Sequence, residues 1–231
     1  NHGDRIREGD LRLMLPELAS LRGVDMVFGG PPCQGFSVAG KMNPEDERSA
    51  LLHSFFDVVD VVRPAAFVCE NVKALAVLQK WASVRDTLFK RSSKNYSVSL
   101  LLLNAMDFGV PQARERMFFI GVRRDLTELN DSDFKSMVEA ALARQYRRPP
   151  TLREVIRRLG RAGTEGNSRV CNAKVTYAKA PVLRRSPYAG MLFNGAGRPL
   201  AAQHVSSTLP ASVGGNKTPI VDDNEIFGNQ R

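Results

Sequence analysis

Cysteine is scarce in this chain. Cys33, Cys69 and Cys171 are three, an odd number with no metal-like spacing. That argues against a disulfide framework or a zinc site and fits a reducing compartment. Histidine is as rare: His2, His53 and His204 are the available imidazoles, and none stands in a context that suggests a Cys-His pair. An apolar run long enough to span a membrane, about 18 residues or more, is missing. The opening stretch NHGDRIREGDLRLML carries no signal-peptide pattern. There is no internal repeat and no low-complexity tract. Acidic residues are in deficit, 24 against 33 Lys+Arg, for a net charge of +9. Such an excess favours polyanionic partners through counterion release. With 43% hydrophobic and 25% charged residues in 231, the class is soluble and globular, one large domain or one plus part of a second.

What is present alternates. VDMVFGG (24–30) is a short apolar run closed by two glycines and reads as a buried strand. RSALLHSFFDVVDVVR (48–63) has apolar residues at three- and four-residue spacing and reads as a helix stopped by Pro64. AAFVCENV (65–72) is a second strand, AVLQKWASVRDTLFKR (76–91) a second helix. YSVSLLLLNAMDFG (96–109) begins as a strand and ends in a turn, and RMFFIGVRR (116–124) is a further strand. The expected fold class is therefore α/β, a doubly wound, mostly parallel sheet covered on both faces. Ligands of such sheets sit beyond the carboxyl ends of the strands, where PPCQ and ENV both fall. Near Pro149-Pro150 the composition changes. Helical periodicity fades after TLREVIRRLG, and the remainder is rich in Gly, Arg, Asn, Ser and Pro. The expected organisation is one domain over 1–148 and a second, loop-rich one over 149–231.

A free cysteine is usually a small core hydrophobe, which is the reading for Cys69 inside AFVCEN. Cys33 differs. Two prolines pin the backbone before it, and it sits where a strand ends and a ligand crevice opens. Packing needs no such loop; positioning a thiolate does.

GGPPCQGFS (29–37) closely resembles the Pro-Cys-Gln loop of cytosine-C5 methyltransferases. FVCENV (67–72) resembles their Glu-Asn-Val motif and FGVPQARERMFFIGVR (108–123) their Gln-x-Arg-x-Arg motif. EGD (8–10) resembles the acidic turn before the cysteine strand, and DERSALL (46–52) the start of the following helix. Order and spacing match across roughly residues 8–123. The resemblance implies a Rossmann-like methyltransferase fold with a target-recognition domain, acting on a cytosine extruded from the duplex.

The chemistry explains the residue types. Carbon 5 of cytosine is a poor nucleophile, and addition of a thiolate at carbon 6 makes it enamine-like. Cys33 is the expected nucleophile. Glu70, on the next strand end, is the expected partner of ring nitrogen 3, a role favoured by burial that raises a carboxyl pKa. Its alternative is a carboxylate that caps a helix or pairs with Lys73. Gln112, Arg114 and Arg116 alternate, so an extended backbone would set them on one face. Arg114 and Arg116 are then expected at the base or a nearby phosphate, with Gln112, Gln34 and Ser37 toward the nucleic acid. The donor implied by the resemblance is S-adenosylmethionine, with Asp10, Pro32 and Leu51 matching positions of its pocket. No metal is implied. Double-stranded DNA is the implied partner, a cognate restriction endonuclease a genetic one, and the bacterial cytoplasm the implied setting.

The family's first strand with its glycine loop, and its last motifs, have no counterpart here. The chain therefore reads as an internal piece of an enzyme. Rival readings are a tRNA cytosine methyltransferase of the same fold, disfavoured by the size of the lobe after 149, and a catalytically incomplete DNA-binding subunit, disfavoured by the presence of both Cys33 and Glu70. A thiol hydrolase lacks its imidazole. Residues 1–231 alone are expected to bind S-adenosylmethionine poorly, and calorimetry on that polypeptide checks it: tight stoichiometric binding refutes the expectation.

Overall fold

The computed structural model describes residues 6–32, 47–168, 198–209, 219–221 and 223–228. Cys33, Gln34, Ser37 and Cys171 lie outside the described residues. In chain order the elements are α1 (Leu11–Leu18), β1 (Met26–Gly29), α2 (Glu47–Val62), β2 (Ala66–Val72), α3 (Lys73–Val77), α4 (Ala82–Ser92) and β3 (Tyr96–Asn104). There follow β4 (Gln112–Ala113), β5 (Glu115–Arg123), α5 (Asp131–Ala143), α6 (Leu152–Leu159), β6 (Arg198–Pro199), β7 (Ser206–Ser207), β8 (Pro219–Ile220) and α7 (Asp223–Phe227). They fall in two compact units, Asn1–Leu103 with Glu115–Gln145, and Asn104–Arg114 with Tyr146–Arg231.

The first unit is α/β. Its sheet has the order β1-β2-β5-β3. β1 runs parallel to β2, with Met26 opposite Ala66 and Gly29 opposite Cys69. Parallel neighbours need a crossover, and α2 supplies it. α2 stops where Pro64 was expected to stop it, with Arg63 taking a left-handed φ of 49°. β5 runs antiparallel to β2, from Ala66 opposite Val122 to Val72 opposite Arg116, so the sheet is mixed.

Alternation along β2 buries Phe67, Cys69 and Asn71. Phe67 and Cys69 face a core built with Phe56 of α2, Leu75 of α3, Leu88 of α4, Val98 of β3 and Phe119 of β5. Its aromatic rings meet mostly edge to face, Phe56–Phe67 at 5.7 Å and Phe89–Phe119 at 4.7 Å between centroids, the arrangement their quadrupoles prefer. Cys69 is a core residue, and burial pushes its thiol pKa up to about 12. Among the described residues, Met26 and Phe28 of β1 are 53% and 79% exposed. At the far edge, Asp131 of α5 accepts from Val98 N–H at 3.1 Å, satisfying an edge-strand donor.

The single helix expected over 76–91 is broken. Leu78 is extended (φ −78°, ψ 132°), and a 3₁₀ turn, Gln79–Trp81, precedes α4. The break lets both Leu75 and Trp81 reach full burial. Arg85 donates to the carbonyls of Leu75 and Leu78 at 2.8 and 2.9 Å, satisfying acceptors that the interrupted helix would orphan. α1 and α5 were not anticipated. Each starts on a side-chain cap, Asp10 accepting from Arg12 N–H and Asn130 from Asp133 N–H.

In the second unit β4 pairs in parallel with β7, and β6 with β8. α6 opens with a capping box: Thr151 accepts from Glu154 N–H while Glu154 accepts from Thr151 N–H. Leu152, Ala202 and Ile226 are buried, and Arg157 donates to the carbonyls of Ile226 and Gly228 at the end of α7. Among the described residues no helix is long and apolar enough to cross a membrane, and no His/Cys/Asp/Glu group could hold a metal ion.

Gly121 stands opposite Phe67, and a Cβ there would lie 2.3 Å from the ring. Gly121→Ala is expected to cost about 1–3 kcal/mol in equilibrium urea unfolding, as overpacked cores do. Combining it with Phe67→Leu should recover part of that cost, and strict additivity of the two would contradict this packing.

Candidate active site

The site is assembled where β1 and β2 end together. Gly29 and Gly30 close β1, and the two have opposite demands. A Cβ on Gly29 would come 3.2 Å from the Phe55 ring of α2, on the core side. A Cβ on Gly30 would come 3.0 Å from Glu70 Oε2, on the other side. Glycine at both positions lets the backbone lie close to α2 and to Glu70 at once. The turn continues through Pro31 and Pro32, the last described residue before Cys33. Asn71 ties β2 to it: its Nδ2 donates to Pro31 O at 3.4 Å, and its Oδ1 accepts from Val72 N–H at 2.9 Å. Asn71 is 1% exposed. The sequence offered it only as the middle letter of ENV, and its structural role appears once the sheet brings the Pro31 carbonyl to it.

Glu70 forms an ion pair with Arg116 of β5, Nε to Oε1 at 2.8 Å. Lys73 is bound elsewhere, its ammonium donating to both oxygens of Glu115 at 2.8 and 2.7 Å. α3 begins at Val72 without any side-chain cap. Glu70 thus neither pairs with Lys73 nor caps that helix. The enclosed carboxyl expected here is also absent, since the Glu70 side chain is 37% exposed. Arg116 additionally donates from Nη1 to Glu115 O at 2.8 Å, which fixes its guanidinium by a second contact.

One continuous strand bearing Gln112, Arg114 and Arg116 is not formed. Gln112 belongs to β4, opposite Ser206. At Arg114 the ladder breaks: its N–H goes to Asn104 Oδ1 and its carbonyl accepts from Ala105 N–H, each at 3.0 Å. β5 starts at Glu115. Gln112 and Arg114 fall in the second unit, Arg116 in the first.

Asp10, Pro32 and Leu51, expected at the methyl donor, all line one cavity of about 640 Å³ in the first unit. Its other walls include Val27, Phe55, Val58 and the Gly29–Pro31 backbone, and Asp10 and Arg12 are the charged residues among those that line it. Hydrogen bonds from the Arg12 guanidinium and backbone N–H hold the Asp10 carboxyl at about 2, well below its usual range. Its volume lies within the range of small-molecule pockets, with mostly apolar walls and one oriented carboxylate able to accept hydrogen bonds.

Comparison with known proteins identifies the family. A model of the C-5 cytosine-specific DNA methylase family matches residues 1–191, and the chain belongs to that family. It is similar to the Type II methyltransferase M.FnuDI of Fusobacterium nucleatum, 36% identical over 131 residues, covering 56% of this chain and 38% of that protein. It is also similar to M.DdeI of Desulfomicrobium norvegicum, 39% identical over 120 residues, 51% of this chain and 28% of that one. The chain thus spans well under half the length of these relatives. Among solved structures, Dnmt2 methyltransferase of S. pombe aligns with a TM-score of 0.46 at 17% identity, covering 67% of this chain and 45% of that one.

Gly30→Ala tests the apposition. The added methyl requires Glu70 Oε2 to give by a few tenths of an ångström, which strains its ion pair with Arg116. Gly30→Ala is expected to cost about 0.5–1.5 kcal/mol in equilibrium urea unfolding, with the circular dichroism spectrum unchanged. A stability equal to the parent's would show that Glu70 is not held by this contact.

Proposed function

We propose that this chain carries the catalytic centre of a DNA cytosine-5 methyltransferase. The reaction moves a methyl group from S-adenosylmethionine to carbon 5 of a cytosine turned out of double-stranded DNA. The observation that carries the reading is the apposition of the Gly30-Pro31-Pro32 turn, immediately ahead of Cys33, to Glu70 in its ion pair with Arg116.

The chain's own groups carry the addition at carbon 6 and the proton at nitrogen 3. The Cys33 thiolate adds to carbon 6, and the electron pair of the 5,6 double bond moves toward carbon 5, with charge received at nitrogen 3. Glu70 holds or delivers a proton at nitrogen 3, and Arg116 orients that carboxyl while its remaining N–H groups face the base. The donor, bound in the Asp10–Pro32–Leu51 cavity, supplies an electrophilic methyl. Carbon 5 takes the methyl, the sulfonium donor departs as a neutral thioether, solvent water takes the carbon 5 proton, and nitrogen 3 returns its proton to Glu70. Return of the electron pair restores the double bond and expels the Cys33 thiolate, so the enzyme ends as it began.

Duplex recognition is assigned to the second unit. Its support is the chain's net charge of +9 and the exposed Arg147, Arg148 and Arg158 in and just before α6, suited to phosphate contacts. Gln34, Ser37, Gln112 and Arg114 are assigned to the nucleic acid by the same reading. The Type II relatives support a restriction–modification setting in a bacterial cytoplasm, with a cognate endonuclease as the genetic partner.

A duplex containing 5-fluorocytosine, offered with donor to the full-length protein, should form a covalent adduct that resists denaturation, because fluorine blocks the last elimination. Cys33→Ser is expected to abolish the adduct. Glu70→Gln should slow its formation by about 10²–10⁴-fold, the usual range for a general acid–base group. An adduct that survives Cys33→Ser overturns the nucleophile assignment, and trapping on tRNA in place of the duplex overturns the substrate.

A further inference from the structure

We propose that Arg12 is a positioning residue of the donor cavity, one that orients the Asp10 carboxylate so that a single acceptor site faces the donor's exocyclic amine. The proposal rests on the methyltransferase reading above and adds a residue to it.

The geometry is specific. Asp10 Oδ1 accepts from Arg12 backbone N–H at 2.9 Å and from Nε at 3.0 Å. Oδ2 accepts from Nη2 at 2.6 Å and from the same Nε at 3.1 Å. Three N–H groups make these four contacts, the Nε–H being shared between the two oxygens, against about four lone-pair sites on an ionised carboxylate. One acceptor site is left, on a side chain that lines the cavity. Asp10 and Arg12 are partly exposed, 34% and 54% of their side chains. An exposed aspartate without such a fork would sample several rotamers, and holding one would cost entropy at the moment of binding. Arg12 removes that cost before the donor arrives. Its planar fork fixes the carboxylate plane; a lysine would hold the charge without the orientation. The same guanidinium keeps the carboxyl ionised, so Asp10 only accepts. Val27, Phe55, Val58 and Leu51 around it add no competing polar group.

The consequence is selectivity. A purine bearing an amine donates to the vacant acceptor site, whereas a purine bearing a carbonyl oxygen there meets a fixed negative charge. The test is calorimetric and needs no turnover. S-adenosylhomocysteine and its deaminated counterpart S-inosylhomocysteine are titrated into the full-length protein and into Arg12→Met, Arg12→Lys and Asp10→Asn. The parent should prefer the adenosyl ligand. Arg12→Met should lose about tenfold of that preference, the worth of one well-placed hydrogen bond to a charged group, and Arg12→Lys should fall between. Arg12 also lies in the first turn of α1, and a purely structural contribution there would weaken both ligands equally and leave the ratio intact. An unchanged ratio in Arg12→Met and Arg12→Lys, with Asp10→Asn abolishing it, overturns the role of Arg12 alone. An unchanged ratio in Asp10→Asn overturns the placement of the donor in this cavity.

Discussion

The parallel register between β1 and β2 is the constraint from which the site follows. Gly29 opposite Cys69 sets Gly30 beside Glu70, where a Cβ would come within 3.0 Å of the carboxylate and force it to give by a few tenths of an ångström. Side chains alternate along a strand, so a slip by one residue would exchange the two faces. Cys69 would then be offered to the crevice and Glu70 driven into the core. The aromatic cluster forbids the slip. Phe67 is fully buried among Phe56, Phe119 and Tyr96, and inverting β2 would expose that ring while burying a charge. The core thus specifies which of two adjacent side chains, a thiol or a carboxyl, reaches the site.

β5 completes the arrangement by running the other way. With Val72 opposite Arg116, the reversed strand delivers a guanidinium to the carboxyl end of β2, where parallel strands alone would bring only another strand end. The neighbouring pairs Lys73–Glu115 and Arg116–Glu70 keep the four charges in two fixed couples. Each couple is half-exposed, so its Coulomb energy is modest and its value lies in geometry. The second contact of Arg116, to Glu115 O, supports that reading: it adds orientation with no further charge.

Much of this was legible in the residues because local rules and tertiary packing agree there. Apolar runs closed by glycine or proline marked β1 and the end of α2, and an apolar run ending in polar residues marked β2. Cys69 read as core because its neighbours did. Where the sequence misled, a long-range contact had overridden local pattern. The periodic stretch 76–91 breaks at Leu78 because Trp81 and Leu75 must both be buried, and Arg85 makes the break tolerable. The alternation of Gln112, Arg114 and Arg116 suggested one strand, yet Asn104 captures the Arg114 N–H and Ser206 pairs with Gln112, partners about 10 and 90 residues away that no local rule names. α1 escaped because its cap, Asp10, read as a ligand residue and its capping of the helix went unread. Asn71 escaped because its partner, the Pro31 carbonyl, is brought to it only by the sheet.

The two paired carboxylates of the first unit show how one kind of contact serves different ends. Arg12 reaches Asp10 from two residues away, so the pair forms wherever α1 begins and needs nothing else from the fold. Arg116 reaches Glu70 only after β2 and β5 have closed, so that pair exists only in the folded sheet. A local pair orients its carboxylate at little cost, because two residues of one turn are already neighbours. A pair that depends on the sheet ties the orientation of Glu70 to correct folding, so any change that parts β2 from β5 also frees that carboxyl. The sequence separation of each ion pair therefore sets what each reports on: the start of one helix, or the closure of the whole sheet.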